Sequence, residues 1–182
     1  MDTSKLMNRL MGAVMFRQGV YDEVENDESF TSMAWILVII TAVLSSIGTT
    51  RNIVGIIVLT IFAILGFFVG AWVIGWVGRT VFKATVTTQE LIRTQGLAYI
   101  WRVLGFFGFI ACIGPLIGFA AAILGLIASF IAAKAALDLD WVQTIVTVVI
   151  GWIVLMVFVV FATLVLGIIG IGVGAGLGAL GQ

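Results

Sequence analysis

From Ile53 to Val77 the chain runs 25 residues without a charged side chain. At 1.5 Å per residue a helix of that length reaches about 37 Å, more than the ~30 Å of hydrocarbon in a bilayer. The run is one of several apolar blocks. Inside lipid the backbone has no water to bond to, so each block must close its own hydrogen bonds as a helix. Charged residues make up 10% of the chain and hydrophobic ones 62%. Soluble domains hold about 25% and 45–50%, so too few charges remain here to build a surface facing water. The expected fold class is therefore all-α. It is a polytopic transmembrane helical bundle of five spans, preceded by an N-terminal interfacial amphipathic helix.

The spans fall at about 30–47, 53–77, 97–113, 116–133 and 142–166. In the first, Thr41, Ser45 and Ser46 can bond back to helix carbonyls. Residues 48–52 form a tight turn whose only charge is Arg51. Trp72 and Trp76 suit an interfacial aromatic belt. Residues 78–96 are the longest polar connection, and Thr87-Thr88-Gln89-Glu90 is a capping box that predicts a short interfacial helix leading to Gly96. Arg102 stands near the entry of the third span, placed to reach the headgroups, with Tyr99 and Trp101 in the same belt. Gly114-Pro115 breaks the helix before the fourth span, because proline lacks an N–H and clashes with the preceding turn. Lys134 closes that span, and Leu137-Asp138-Leu139-Asp140 turns the chain into the fifth. The tail, 167–182, is apolar and rich in glycine. No polar turn separates it from the fifth span, so a sixth crossing is not expected.

Residues 1–29 form a separate cytoplasmic or interfacial unit, with no cleavable signal peptide expected in it. Over 3–17, Leu6, Met7, Leu10, Met11, Val14 and Met15 share one helical face, and Lys5, Asn8 and Arg9 lie largely on the other. Such a helix can lie among headgroups or dock on the protein's own spans. The acidic stretch YDEVENDE, 21–28, reads as a solvated linker or a docking surface. Lys5, Arg9, Tyr21, Asp22, Asp27, Arg93 and Arg102 are the candidates for facing a partner or lipid. An N-terminus in the cytoplasm puts Lys5, Arg9, Arg17, Arg79, Lys83, Arg93, Arg102 and Lys134 inside and only Arg51 outside. The positive-inside rule favours that orientation in the inner (cytoplasmic) membrane.

The residues for chemistry are missing. There is no His, and the single Cys, Cys112, lies in an apolar run. That leaves no metal set and no Cys–His or Ser–His pair. No cofactor is expected. The glycine runs from Gly172 onward lack the strand context of a dinucleotide site. Nine basic and nine acidic residues cancel, which argues against a nucleic-acid partner. Small residues are conspicuous instead. Gly114, Gly118, Ala121, Gly125, Ala128 and Ala132 recur in steps of three and four, as do Gly66 with Gly70 and Gly170, Gly174 and Gly178 in the tail. Such faces let helices approach closely. The fourth-span series is expected to pack within the subunit, and the tail series against a partner.

Three stretches carry a family resemblance. RQGVYDEVENDESFTSMAWILV has a tyrosine, then acids, then a small-residue start to a span. LIRTQGLAYIWRVLG has a Leu-x-Arg-x-x-Gly-x-Ala-type entry. IGPLIG, followed by AKAALDLDWVQTIVTVVIGW, has a proline-led span and a basic-x-Ala-Leu-Asp exit. From Val14 to Trp152 the chain thus resembles the prokaryotic branch of the YIP family, the Ypt/Rab-interacting membrane proteins. Trp101 stands about where the family often has proline, and the family's fourth-span tryptophan is replaced around Gly125. The resemblance implies five spans, a cytoplasmic N-terminus and no enzymatic activity. The expected function is a non-enzymatic membrane scaffold, adaptor or accessory subunit, acting through helix packing and membrane shaping. Its partners would be lipids and other transmembrane proteins or copies of itself. The alternative is a small transporter or channel formed by several copies. It ranks second because no ionisable residue is expected at mid-membrane depth.

Overall fold

The computed structural model describes residues 3–157 and 160, and every element among them is helical. The order is α1 (Thr3–Val14), α2 (Gln18–Asn26), α3 (Phe30–Thr49), α4 (Ile53–Phe82), α5 (Thr88–Ala98), a 3₁₀ helix (Tyr99–Phe109), α6 (Gly114–Leu137) and α7 (Trp141–Val157). Among the described residues α3, α4 and α6 are long and apolar enough to cross a membrane, and α7 is a shorter apolar helix. The all-helical class and the membrane character agree with the sequence. The tail, with Gly170, Gly174 and Gly178, lies outside the described residues.

Helix ends follow local chemistry. The Asn52 side chain accepts from Val54 and Gly55 N–H and starts α4. The capping box at Thr87 forms as expected: Thr87 Oγ1 accepts from Glu90 N–H at 3.2 Å, and the Glu90 carboxylate accepts from Thr87 N–H at 2.8 Å. Pro115 occupies the first turn of α6, where its missing N–H leaves no bond unmade. Both α4 and α6 outrun the expected ends at Val77 and Ala133. Arg79 and Lys134 lie in their last turns, where a cation suits the helix dipole. Each also donates to a carbonyl of the following loop, Arg79 to Val86 and Lys134 to Leu139.

The third span departs most from expectation. No continuous α-helix covers 97–113. Instead α5 ends at Ala98 and a 3₁₀ helix continues to Phe109. α5 is packed inside the protein, with every residue from Leu91 to Ala98 buried. The reason is backbone contact with α3. A Cβ at Gly96 would stand 2.8 Å from Ala34 Cβ, and one at Gly105 would stand 2.5 Å from Ser45 Oγ. A Cβ at Gly48 would strike the carbonyls of Gly105 and Phe106. With three residues per turn, Tyr99, Arg102, Gly105 and Gly108 form one column. An α-helix would rotate each successive member about 60° out of line and pull the glycines off α3.

α1 and α2 form a hairpin on the bundle. Leu6, Leu10 and Ala13 of α1 and Tyr21 and Val24 of α2 join a core with Phe30, Ala34, Leu97, Ala128 and Ala132. The apolar face of α1 is thereby split, because Met7, Met11, Val14 and Met15 stay exposed. At the hairpin tip Phe16, with φ 55°, stacks on Trp101 at 5.3 Å. A second core joins Ala71 and Ile74 of α4 with Leu91, Ala133, Leu137 and Val148.

Two glycine substitutions separate contact from propensity. Gly48→Ala forces a methyl into carbonyl oxygens and should destabilise by about 3 kcal/mol, the upper end of usual overpacking losses. Gly66→Ala, with nothing within 4 Å of the added methyl, should leave the detergent melting temperature unchanged or raise it. Equal melting of the two variants would rule out the α3–3₁₀ contact.

Candidate functional site

Two polar assemblies interrupt the apolar surface. The first is an ionic clasp that closes the α1–α2 hairpin. Arg9 Nη2 lies 2.7 Å from Glu23 Oε1 and 2.6 Å from Asp27 Oδ2. Its Nε donates to the same Glu23 oxygen at 3.1 Å. The guanidinium also sits 5.1 Å from the centre of the Phe30 ring. Lys5 joins from the rim, at 3.5 and 3.6 Å from the same two carboxylates. Burial alone would lower the Arg9 pKa, yet the bonds to Asp27 and Glu23 raise it. Hydrogen bonds from Ser29 and Arg9 hold Asp27 down at about 2, and Arg9 lowers Glu23.

Arg93 ties this hairpin to α5. Its Nε donates to the Glu25 carbonyl at 2.9 Å, Nη2 donates to the same oxygen, and Nη1 reaches Thr31 Oγ1 at 3.4 Å. Beside it the Glu25 carboxyl is pushed up to about 7. Burial is the main cause, followed by Asp138, Glu90 and Asp22, while Arg93 pulls the other way.

The second assembly is an open-sided cavity of about 510 Å³ lined, among the described residues, by α3, α4, α5, the 3₁₀ helix, α6 and α7. Its walls are apolar, with Phe62, Phe67, Leu126 and Trp152. The polar groups at and next to its wall mostly bond to one another or to backbone carbonyls. Ser129 Oγ donates to Gln95 Oε1 at 2.8 Å, Gln95 Nε2 donates to the Ser129 carbonyl at 3.1 Å, and Tyr99 OH donates to the Ala63 carbonyl at 3.2 Å. Thr60 Oγ1 donates to Ser46 Oγ at 3.2 Å. Arg102 lines the same space with its guanidinium 4.9 Å from the centre of the Tyr99 ring. None of the ion pairs among the described residues includes it.

Arg102 does not sit at the entry of its segment. The neighbouring Trp101 Cβ lies 3.8 Å from a Cβ built on Gly125, which is the twelfth of the 24 residues of α6. Tyr99 packs edge-on against Phe67 at 5.0 Å, the fifteenth of the 30 residues of α4. The backbone at Arg102 is thus level with the middle of both long helices, and its side chain is exposed. The offset arises because the buried α5 uses up the first half of the segment.

The other nominated residues divide. Arg9 and Arg93 are 3% and 4% exposed and turn into the protein rather than toward lipid, drawn by carboxylates and a carbonyl. Tyr21 is fully buried as well, with its pKa raised by burial and its hydroxyl unpartnered among the described residues. Asp22 is exposed, while Asp27 belongs to the clasp. Ala128 and Ala132 pack in the core, and a Cβ at Gly114 would meet the Gly108 carbonyl at 2.5 Å. Gly66, Gly70, Ala121 and Gly125 line the cavity instead of clasping a neighbouring helix. Gly118 faces open space. Close contacts with α3 fall to Gly96, Gly105 and Gly108, facing Ala34, Ser45 and Gly48, and the spacing of three from Tyr99 to Gly108 was the signal for the last two.

No family model, curated protein or solved structure matches the chain.

The Glu25 site predicts a pH response of definite sign. A carboxyl whose folded pKa is raised favours the fold while protonated and loses that contribution as pH climbs from about 4.5 to about 7. Over that interval the wild-type hairpin should loosen, read as faster hydrogen exchange in α2. Glu25→Gln should flatten the profile, and an unchanged slope in that variant would reject the assignment.

Proposed function

We propose that the chain is a non-enzymatic scaffold, adaptor or accessory subunit of the inner membrane, related to the YIP family, with five spans and a cytoplasmic N-terminus. α3, α4, α6 and α7 make four crossings. α5 with the 3₁₀ helix makes the other, since eleven residues at about 1.5 Å and eleven at about 2.0 Å sum to about 38 Å. The exposed Met7, Met11, Val14 and Met15 lie against lipid at the headgroup side.

The observation that carries the scaffold reading is the outer face at the start of α6. Gly118 has nothing within 4 Å of an added Cβ, and Leu116 and Phe119 beside it are 69% and 68% exposed. A small residue between large ones offers a partner helix a close seat. Gly118→Leu should therefore leave the monomer's melting unchanged while abolishing co-migration of partner chains or further copies in mild detergent. A wild-type chain that always runs alone at monomer mass would defeat this reading.

A second reading, transport, gains from the level of Arg102 and from the break between α5 and the 3₁₀ helix. Interrupted helices and ionisable groups at mid-depth are features of transport sites. Purified protein in liposomes should show no saturable flux of small anions if the scaffold reading holds. Saturable flux lost in Arg102→Gln would reverse the ranking.

A further inference from the structure

The geometry points to the Arg102 cavity as a binding site for a single-chain anionic amphiphile, with its acidic headgroup on Arg102 and its hydrocarbon chain along α4 and α6. The argument begins with charge. Arg102 is exposed, lines an apolar cavity and is carried at the mid-height of α4 and α6; in a bilayer a cation at such a level is costly unless it meets a counter-charge or water. This chain supplies no side-chain carboxylate at that level. Its nine acids are at positions 2, 22, 23, 25, 27, 28, 90, 138 and 140, all before α3, in the loop after α6 or, for Glu90, in the first turn of α5. Arg9 takes two of them, and Glu25, Glu90 and Asp138 interact near Arg93. The hydrogen-bonding groups beside Arg102 largely serve one another or a backbone carbonyl. The guanidinium has five donors, and its described contact is the Tyr99 ring face.

Shape then selects the rest of the ligand. A cavity of about 510 Å³ falls within the ~300–1,000 Å³ of small-molecule sites. A helix is about 10–12 Å across with side chains, so that space holds about one turn of helix, whereas a single hydrocarbon chain fits it along its length. Gly66, Gly70, Ala121, Ala122 and Gly125 keep the wall free of bulk, which leaves room for a slender chain. A small inorganic anion would use Arg102 and leave the apolar walls bare.

Titration of full-length protein in mild detergent with radiolabelled oleate tests this, with oleyl alcohol and inorganic phosphate as comparison arms. Oleate should bind saturably at one site per chain. Arg102→Gln should weaken it tenfold or more, the scale of one charge-assisted contact, and Arg102→Lys should recover most of the loss. Gly125→Leu should block binding without touching the charge. Oleyl alcohol bound as tightly as oleate would overturn the role of Arg102. Competition by phosphate at equal concentration would overturn the amphiphile in favour of a free anion. If the Arg102 variants do not fold, the wild-type comparison of oleate with oleyl alcohol still decides.

Discussion

The bundle depends on one backbone contact, that of the Gly48 end of α3 with Gly105 and Gly108 of the 3₁₀ helix. In lipid there is little hydrophobic drive to press helices together, so close van der Waals approach has to supply much of the attraction. Side chains at these positions would hold the two backbones apart. Glycine lets them touch, and the touch dictates the winding of the segment. The 3₁₀ period in turn stacks Arg102 on Tyr99 and delivers both to the cavity.

The clasp at the other end of the molecule works by a different force. Arg9 is buried, but Glu23 is half-exposed and Asp27 also reaches solvent. The carboxylates therefore keep part of their hydration while the cation finds two partners, which limits the desolvation penalty of a buried pair. Arg93 then fixes the hairpin to α5 through a backbone carbonyl, a contact that does not depend on pH. Glu25 supplies the component that does. The hairpin end thus has a permanent fastening and a titratable one side by side.

Much of this was legible in the sequence. Uncharged length alone identified α3, α4 and α6, because lipid permits a chain so few alternatives. The capping box and Pro115 marked helix starts, because each acts within one turn. What escaped was whatever depends on a neighbour. Arg9 looked like a headgroup ligand, since nothing local shows that α2 brings Glu23 and Asp27 back to it. The stripe from Gly118 to Gly125 looked like a helix seat, yet the side of α6 carrying Ala121 and Gly125 lines a cavity. The winding of Tyr99–Phe109 was missed because hydropathy records how apolar a segment is and not how it winds. Only the three-residue rhythm of Tyr99, Arg102, Gly105 and Gly108 carried that information.

The winding of the Tyr99–Phe109 segment also sets its reach. A 3₁₀ helix rises about 2.0 Å per residue and an α-helix about 1.5 Å. Rewinding the eleven residues from Tyr99 to Phe109 would shorten the segment by about 5.5 Å. Counted from Ala98, the same change would swing Arg102 by about 80° around the axis. The segment is therefore geared like a screw, in which a small axial slip against α3 becomes a large turn of Arg102, the one cation that lines the cavity among the described residues.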